Sequence, residues 1–276
     1  MFDAALAPLI DQPMPWFCAT LGVCTAFLMG FARSCFGGGG FVVSPLMVLA
    51  IGAKDALAVL ATLMVVASVN SCWQHRHEVQ WALLRPLLAA AIFGTGVGGC
   101  ILWWMVSSGE EADVHTQLEL VVAALTLFYT FLIALRGIIA KGGPTRPPHA
   151  WETFTAGSLV GVSQVVANSG SPMLTVFFVR FHIGKERFVA AQSFFLGAQN
   201  VVKLVPLVLL GILHLGNLGT AILMLPVLFF GGWTGAKMYH ACSEALIFRI
   251  YTACLVLGCL TSGILIWGRD AFYGVF

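Results

Sequence analysis

Charge is scarce in this chain. Its 276 residues hold 12 Asp and Glu and 14 Lys and Arg, 9% of the sequence, where a soluble domain carries about a quarter. With 59% apolar residues and a mean hydropathy of +0.92, the chain holds more apolar surface than a soluble core can bury. An integral membrane protein is the class that remains. The net charge of +2 says nothing by itself, and no nucleic-acid partner is expected. Paired cysteines are missing as well: Cys18, Cys24, Cys35, Cys72, Cys100, Cys242, Cys254 and Cys259 form no CxxC and no His/Cys spacing suited to zinc. Neither a metal nor a cofactor is expected, and most of these cysteines read as small packing residues. No basic residue precedes the first apolar run, since Asp3 and Asp11 are the only charges before Arg33. A cleaved secretory signal is therefore not expected. Alternation of apolar and polar residues is absent too, which excludes an outer-membrane barrel.

The apolar segments hold no Asp or Glu beyond Glu119, near the start of one of them, so a buried acidic proton relay is not evident. They hold no histidine either. That argues against an intramembrane serine protease, which would need a histidine on a helix facing the serine of "NSGSP". The chain is not expected to be an enzyme. In "WQHRHEV", residues 73–79, two histidines at i and i+2 cannot share a helical face, and a solvated loop is the reading; His214 and His240 are likewise read as loop residues.

What is present is hydrophobic length. Runs long enough to cross about 30 Å of hydrocarbon fall at 16–32, 56–74, 86–106, 120–135, 153–179, 188–212, 216–236 and 250–267, and "ANSGSP" splits the fifth into 153–167 and a short piece. Two shorter apolar pieces lie at 41–52 and 172–181, after breaks at "GGGG" and "ANSGS". As helices these two would be only about 15–18 Å long. The expected fold is all-α: a polytopic helical membrane protein of eight full spans and two short, broken-helix segments.

With the amino terminus outside, the cytoplasmic stretches hold eleven basic residues: Arg33, Arg76, Arg85, Arg136, Lys141, Arg146, Arg180, Lys185, Arg187, Lys237 and Arg249. The outer stretches hold Lys54 and Arg269, the acidic loop at 107–115 holds none, and Lys203 lies within a segment. This asymmetry follows the positive-inside rule and places both termini outside.

The chain also repeats itself. "GGGGFVVSPLMVL" at 37–49 resembles "ANSGSPMLTVFF" at 167–178, "AKDALAVLATLM" at 53–64 resembles "GKERFVAAQSFF" at 184–195, and "FGTGVG" at 93–98 resembles "FGGWTG" at 230–235. Residues 1–139 form a first repeat, 140–151 a cytoplasmic linker and 152–276 a second repeat. Five segments per half is an odd number, so the second copy enters the membrane from the opposite side. Inverted repeats with helices broken at matching positions point to a secondary transporter whose site lies between them.

Irregular backbone at membrane depth is tolerated where it lines a polar cavity or is buried in protein. The amides around Gly37, Gly38, Gly39 and Gly40, with Ser44, and those around Asn168, Ser169, Gly170 and Ser171 would carry the positive ends of two short helices and suit an anion. Tight helix packing is the alternative, and it is preferred for "GTGVG" at 94–98 and "GGWTG" at 231–235. Gln192, Gln199 and Lys203 stand at i, i+7 and i+11, on one helical stripe. A lysine this deep should face the interior or water; it is either an anion contact, a lysine capped by carbonyls, or one that snorkels outward. Asn200, Ser193, Gln164 and Ser163 are neighbours. Thr62, Ser68 and Asn70 occupy the corresponding first-half segment, with no charge to match Lys203. Arg33 is either a cytoplasmic anchor or an anion contact on the way in, and Cys35 a redox or ligand group beside the glycines.

The glycine-rich break followed by "FVVSPLMVLAIG", its echo "NSGSPMLTVFF" and the two halves of similar layout resemble the sulfite exporter TauE/SafE family, also called the toluene sulfonate uptake permease family, over roughly 16–267. The resemblance implies transport of a small sulfur-containing anion, such as sulfite, a sulfonate or sulfoacetate, across the bacterial inner membrane. The expected partners are that anion and membrane lipid, with a coupling proton or ion admitted as a third. An anion channel, or a carrier for a different small anion, is the alternative.

The topology has a direct test. Glu110→Cys and Thr145→Cys, each in a cysteine-free background, should differ toward an impermeant thiol reagent in intact cells: position 110 labels, position 145 does not. Labelling of position 145 from outside would sink both the orientation and the inversion of the repeats.

Overall fold

The computed structural model describes residues 14–108, 111–135, 147–181, 185–241 and 244–267. Every regular element among them is a helix: α1 Pro15–Phe36, α2 Gly40–Ile51, α3 Ala53–Gln74, α4 Trp81–Ser108, α5 Glu111–Ala134, α6 Ala150–Ala167, α7 Ser171–Arg180, α8 Lys185–Val202, α9 Leu204–Leu209, α10 Leu215–Ala241 and α11 Glu244–Trp267. Six stretches, namely α1, α3, α4, α5, α8 with α9, and α10, are long and apolar enough to cross a membrane. With α6 of 18 residues and α11 of 24, the long segments number eight. Two short helices, α2 of 12 residues and α7 of 10, complete the expected set. The protein is a polytopic helical membrane protein. Its outward faces carry Trp103, Trp104, Phe128, Phe131, Ile222 and Phe230, all exposed and suited to lipid.

The breaks follow from single residues. α1 ends where Gly37 takes φ 75° and its N–H bonds the Arg33 carbonyl, and α6 ends where Asn168 takes φ 53° and its N–H bonds the Ser163 carbonyl. Asn168 is the one non-glycine with positive φ among the described residues, and asparagine tolerates that region better than most side chains. The two Ser-Pro pairs, aligned by the sequence repeat, occupy different helical positions. Pro172 sits at the start of α7, where its missing N–H costs nothing, whereas Pro45 lies inside α2. Pro45 leaves the Phe41 carbonyl without its helical donor, and the Thr126 hydroxyl of α5 donates to that carbonyl at 3.4 Å. The apolar run 188–212 is likewise interrupted. Pro206 withdraws the donor that Val202 would use, and the chain steps through Lys203 between α8 and α9.

Packing pairs the two halves. α1 lies along α10 and α4 along α6; α3 packs on α8, α5 on α11, α2 on α11 and α5 on α7. Exchanging the halves leaves these pairings unchanged. The first two seams are the closest. A Cβ at Gly94 would stand 2.1 Å from the Ser158 carbonyl oxygen, at Gly161 2.2 Å from that of Ala91, and at Gly231 2.1 Å from that of Phe27. Gly94 and Gly231, one in each small-residue stretch, and Gly161 on α6 are therefore contact points at which backbones touch. Gly96, on the same helix as Gly94, has nothing within 4 Å of such a carbon.

Three sequence expectations change. The loop expected at 107–115 is mostly helix, since α4 runs to Ser108 and α5 begins at Glu111; acidic residues suit a helix amino terminus. His240 lies in the last turns of α10, not in a loop. Arg33, counted among the cytoplasmic basic residues, belongs to the last turn of α1 and is buried. Both termini, Thr145 and most of the linker lie outside the described residues.

Gly161→Val should lower thermal stability by an amount equivalent to about 1–3 kcal/mol or more, as overpacking against backbone does, and should reduce yield. Gly96→Ala should leave the melting temperature within about 1 °C. A thermal-unfolding comparison in detergent decides it, and equal melting temperatures would show that the α4–α6 seam is not close-packed.

Candidate functional site

The two helix breaks meet. The Gly39 N–H donates to Ser171 Oγ at 3.3 Å, and the Ser44 hydroxyl donates to the Ala167 carbonyl at 2.6 Å. A Cβ at Gly40 would stand 2.1 Å from the Asn168 carbonyl oxygen, and one at Gly38 would stand 2.8 Å from Ser171 Cβ and 3.0 Å from Gln192 Oε1. Gly39, at φ 120°, lies where a Cβ would meet Ala32 Cβ at 2.5 Å. The amino-terminal ends of α2 and α7 are thus brought to one place, with their positive dipole ends buried side by side.

Against this junction stands a polar cluster drawn from α1, α3, α4, α6, the α6–α7 break and α8. Arg33 Nη2 donates to Ser68 Oγ at 2.6 Å and Nη1 to the Gly37 carbonyl at 3.2 Å, tying the end of α1 to α3. Asn200 Nδ2 donates to the same Ser68 oxygen at 3.0 Å, and its Oδ1 accepts from Gln164 Nε2 at 2.8 Å. Gln164 Oε1 in turn accepts the Gly170 N–H at 2.9 Å, which locks the second break to α6. Lys203 Nζ donates to Asn168 Oδ1 and lies 3.3 Å from Met64 Sδ. Arg33 is 5% exposed and Lys203 0%. Lys203 therefore does not snorkel, and Arg33 is no surface anchor.

The other predicted residues separate into two groups. Gly38, Gly39, Ser171 and Gln192 belong to the junction, Gln192 Nε2 donating to Thr175 Oγ1 at 2.6 Å and to the Ser171 carbonyl at 3.3 Å. Asn168, Gln199, Asn200 and Lys203 belong to the cation cluster or its edge, Gln199 Oε1 accepting from Thr95 Oγ1 at 2.7 Å. Gly37 and Gly40 are close-packed, and Ser169 donates to the Ala167 carbonyl at 2.9 Å. Cys35 packs in an apolar cluster with Phe31, Phe41, Val42 and Leu46. Of the neighbours noted in the sequence, Ser193 bonds Ser71 at 2.7 Å and Ser163 pairs with Tyr129.

Thr95, Met64 and the central role of Ser68 were not evident from sequence. Thr95 sits in "GTGVG", where the glycines explain the stretch as packing. A hydroxyl in mid-span was the available signal. Ser68 and Met64 stand four residues apart and so share a face of α3.

The electrostatics are one-sided. Among the described residues neither Arg33 nor Lys203 has a carboxylate within ion-pair reach; the ion pairs seen are Arg180 with Glu152 and His214 with Asp55. Three buried N–H groups of the cluster, Arg33 Nε, Asn168 Nδ2 and Gln199 Nε2, also have no acceptor among the described residues. The ammonium of Lys203 takes Asn168 Oδ1, so the Nδ2 donor of Asn168 remains; the Thr95 hydroxyl beside the Gln199 amide also reaches the Ala91 carbonyl at 2.9 Å and can serve that amide as donor or as acceptor. A buried donor without an acceptor is costly. These three stand together beside Arg33 and Lys203.

Residues 22–262 match the family described as Sulfite exporter TauE/SafE. The match spans most of the chain, which therefore belongs to that family of membrane transporters for sulfur-containing anions. Neither the comparison with curated proteins nor that with solved structures finds a match.

Ser68 accepts from both Arg33 and Asn200, so Ser68→Ala strands two buried donors. Its thermal stability should fall by the equivalent of about 1–3 kcal/mol. Thr62→Ala, which loses only a bond to the Ala58 carbonyl of its own helix, should melt within about 1 °C of wild type. Equal melting of all three proteins would mean that the cluster is not bonded through Ser68.

Proposed function

We propose that this member of the sulfite exporter TauE/SafE family is a secondary transporter that carries a small sulfur-containing anion, sulfite or an organosulfonate, across the bacterial inner membrane by alternating access. The observation that carries the reading is the pair of buried cations, Arg33 and Lys203, with no carboxylate within reach among the described residues. Breaking a buried ion pair by removing one partner costs about 3–5 kcal/mol. A buried guanidinium with a buried lysine beside it, and no carboxylate in reach among the described residues, suits a counter-ion brought by the substrate. Sulfite and sulfonates present three oxygens, each an acceptor, and the uncommitted donors of Arg33 and Asn168 are chemically suited to them.

In this reading the substrate sits where the α2 and α7 amino termini converge on the cation cluster. Gly38, Gly39, Ser171 and Gln192 form the wall on the side of the helix termini, and Arg33, Asn168, Gln199, Asn200 and Lys203 the charged wall. The exchange-symmetric helix pairings support two repeats inverted in the membrane and working against each other about this centre. The burial of every one of these side chains favours a carrier over an open channel.

Lys203→Met keeps the length and removes the charge. It should weaken binding of sulfite to the purified protein by more than about tenfold, roughly 1.4 kcal/mol, while Lys203→Arg retains part of the affinity. Thermal unfolding of each variant serves as the folding control, and uptake of a panel of sulfur oxyanions by sealed proteoliposomes ranks the substrates. Equal affinities in wild type and Lys203→Met would remove Lys203 from the site.

A further inference from the structure

We propose that the transporter is an obligatory anion exchanger: it passes through its closed form only with an anion aboard, so that outward movement of one anion is tied to inward movement of another. The inference rests on the reading above and concerns what returns the site across the membrane. In the form described here Arg33, Lys203, Asn168, Gln199 and Asn200 are all at most 5% exposed, so the cluster is shut off from both faces. A guanidinium keeps its charge under all physiological conditions. Whatever the state of Lys203, closure around the site alone therefore desolvates at least one positive charge. Among the described residues no carboxylate within ion-pair reach offsets it, and the carboxyl-terminal end of α1, where Arg33 stands, contributes only a partial negative charge. Ser68 and the Gly37 carbonyl, which accept from Arg33, are neutral, as is Asn168, which accepts from Lys203.

Two familiar return routes are unsupported by the residues. A carrier that brings its site back empty usually neutralises it, most simply with a carboxylate that pairs with the cation once the substrate has left. The ion pairs seen among the described residues are elsewhere: Glu152 pairs with Arg180, and Asp55 pairs with His214. Coupling to a cation such as sodium would need oxygen ligands able to hold a positive ion beside Arg33 and Lys203, and like charges disfavour that. A second anion meets the same need with the same donors. It replaces the first as counter-charge, and no proton, metal or new ligand set is required.

The test compares uptake of radiolabelled sulfite into proteoliposomes loaded with unlabelled sulfite and into proteoliposomes loaded with gluconate. Valinomycin and potassium on both sides hold the membrane potential at zero, so that charge accumulation cannot mimic a need for internal anion. Uptake into sulfite-loaded vesicles should exceed that into gluconate-loaded vesicles by more than about tenfold, since closing over an unpaired charge is strongly disfavoured. Equal initial rates overturn obligatory exchange and leave the protein a uniporter for sulfur anions. Absence of flux in both, together with absence of sulfite binding in detergent, overturns the transporter reading itself and the exchange with it.

Discussion

Backbone that leaves a helix at membrane depth must be covered by protein, because hydrocarbon offers no partner for free N–H and C=O groups. In this chain the two places where that happens cover each other. The α1–α2 break and the α6–α7 break are joined by the Gly39–Ser171 and Ser44–Ala167 hydrogen bonds, and Gly40 lies directly on the Asn168 carbonyl. Arg33 and Gln164 then tie the breaks to their surroundings, the one through the Gly37 carbonyl and the other through the Gly170 N–H. The rest of the architecture serves to hold these two irregular stretches together.

Glycine does this at a distance from the centre. Along α1–α10 and α4–α6, backbone meets backbone at Gly231 and Phe27, at Gly94 and Ser158, and at Gly161 and Ala91. Lipid tails are as apolar as leucine, so such seams are held by close van der Waals contact and not by the exclusion of water. Each seam joins a helix of one half to a helix of the other. The halves can then share a centre to which α1, α3 and α4 contribute Arg33, Ser68 and Thr95, while α6 and α8 contribute Gln164, Gln199 and Asn200.

That centre is positively charged, donor-rich and buried. Its bonded members rigidify one another, since Ser68 serves both Arg33 and Asn200 and Asn200 serves Gln164. Arg33 Nε and Asn168 Nδ2 are its unbonded donors. Donors beside a guanidinium suit an oxyanion, and the family to which the chain belongs moves sulfur-containing anions.

Hydropathy determined the class and, with the glycine and proline breaks, the number of segments, because crossing hydrocarbon sets a minimum apolar length that little else in a sequence imitates; most ends fell within a few residues, but α5 begins nine residues before the apolar run at 120–135, where polar residues continue the helix beyond it. The breaks were legible for the same kind of reason: Gly37, Gly39 and Pro172 have conformations or missing donors that act locally. Gln199 and Lys203 could be placed on one stripe, and Gly94 and Gly231 at helix contacts, from helical periodicity. Partners across the bundle could not. Arg33 ends a span and so reads as an interfacial anchor, and only the approach of α3 to α1 shows its guanidinium buried on Ser68. Lys203 reads as a lysine with three fates, and only the return of the α6–α7 break beside α8 gives it Asn168. The Ser-Pro pairs look equivalent in sequence, yet Pro172 opens α7 whereas Pro45 stands inside α2, where the freed Phe41 carbonyl meets the Thr126 hydroxyl of α5 at 3.4 Å, a hydroxyl shared with the Val122 carbonyl. Local conformation and membrane crossing depend on residues within a few turns of each other. A charge's counter-partner and a carbonyl's substitute donor depend on which distant helices pack together, and that was decided by the tertiary structure alone.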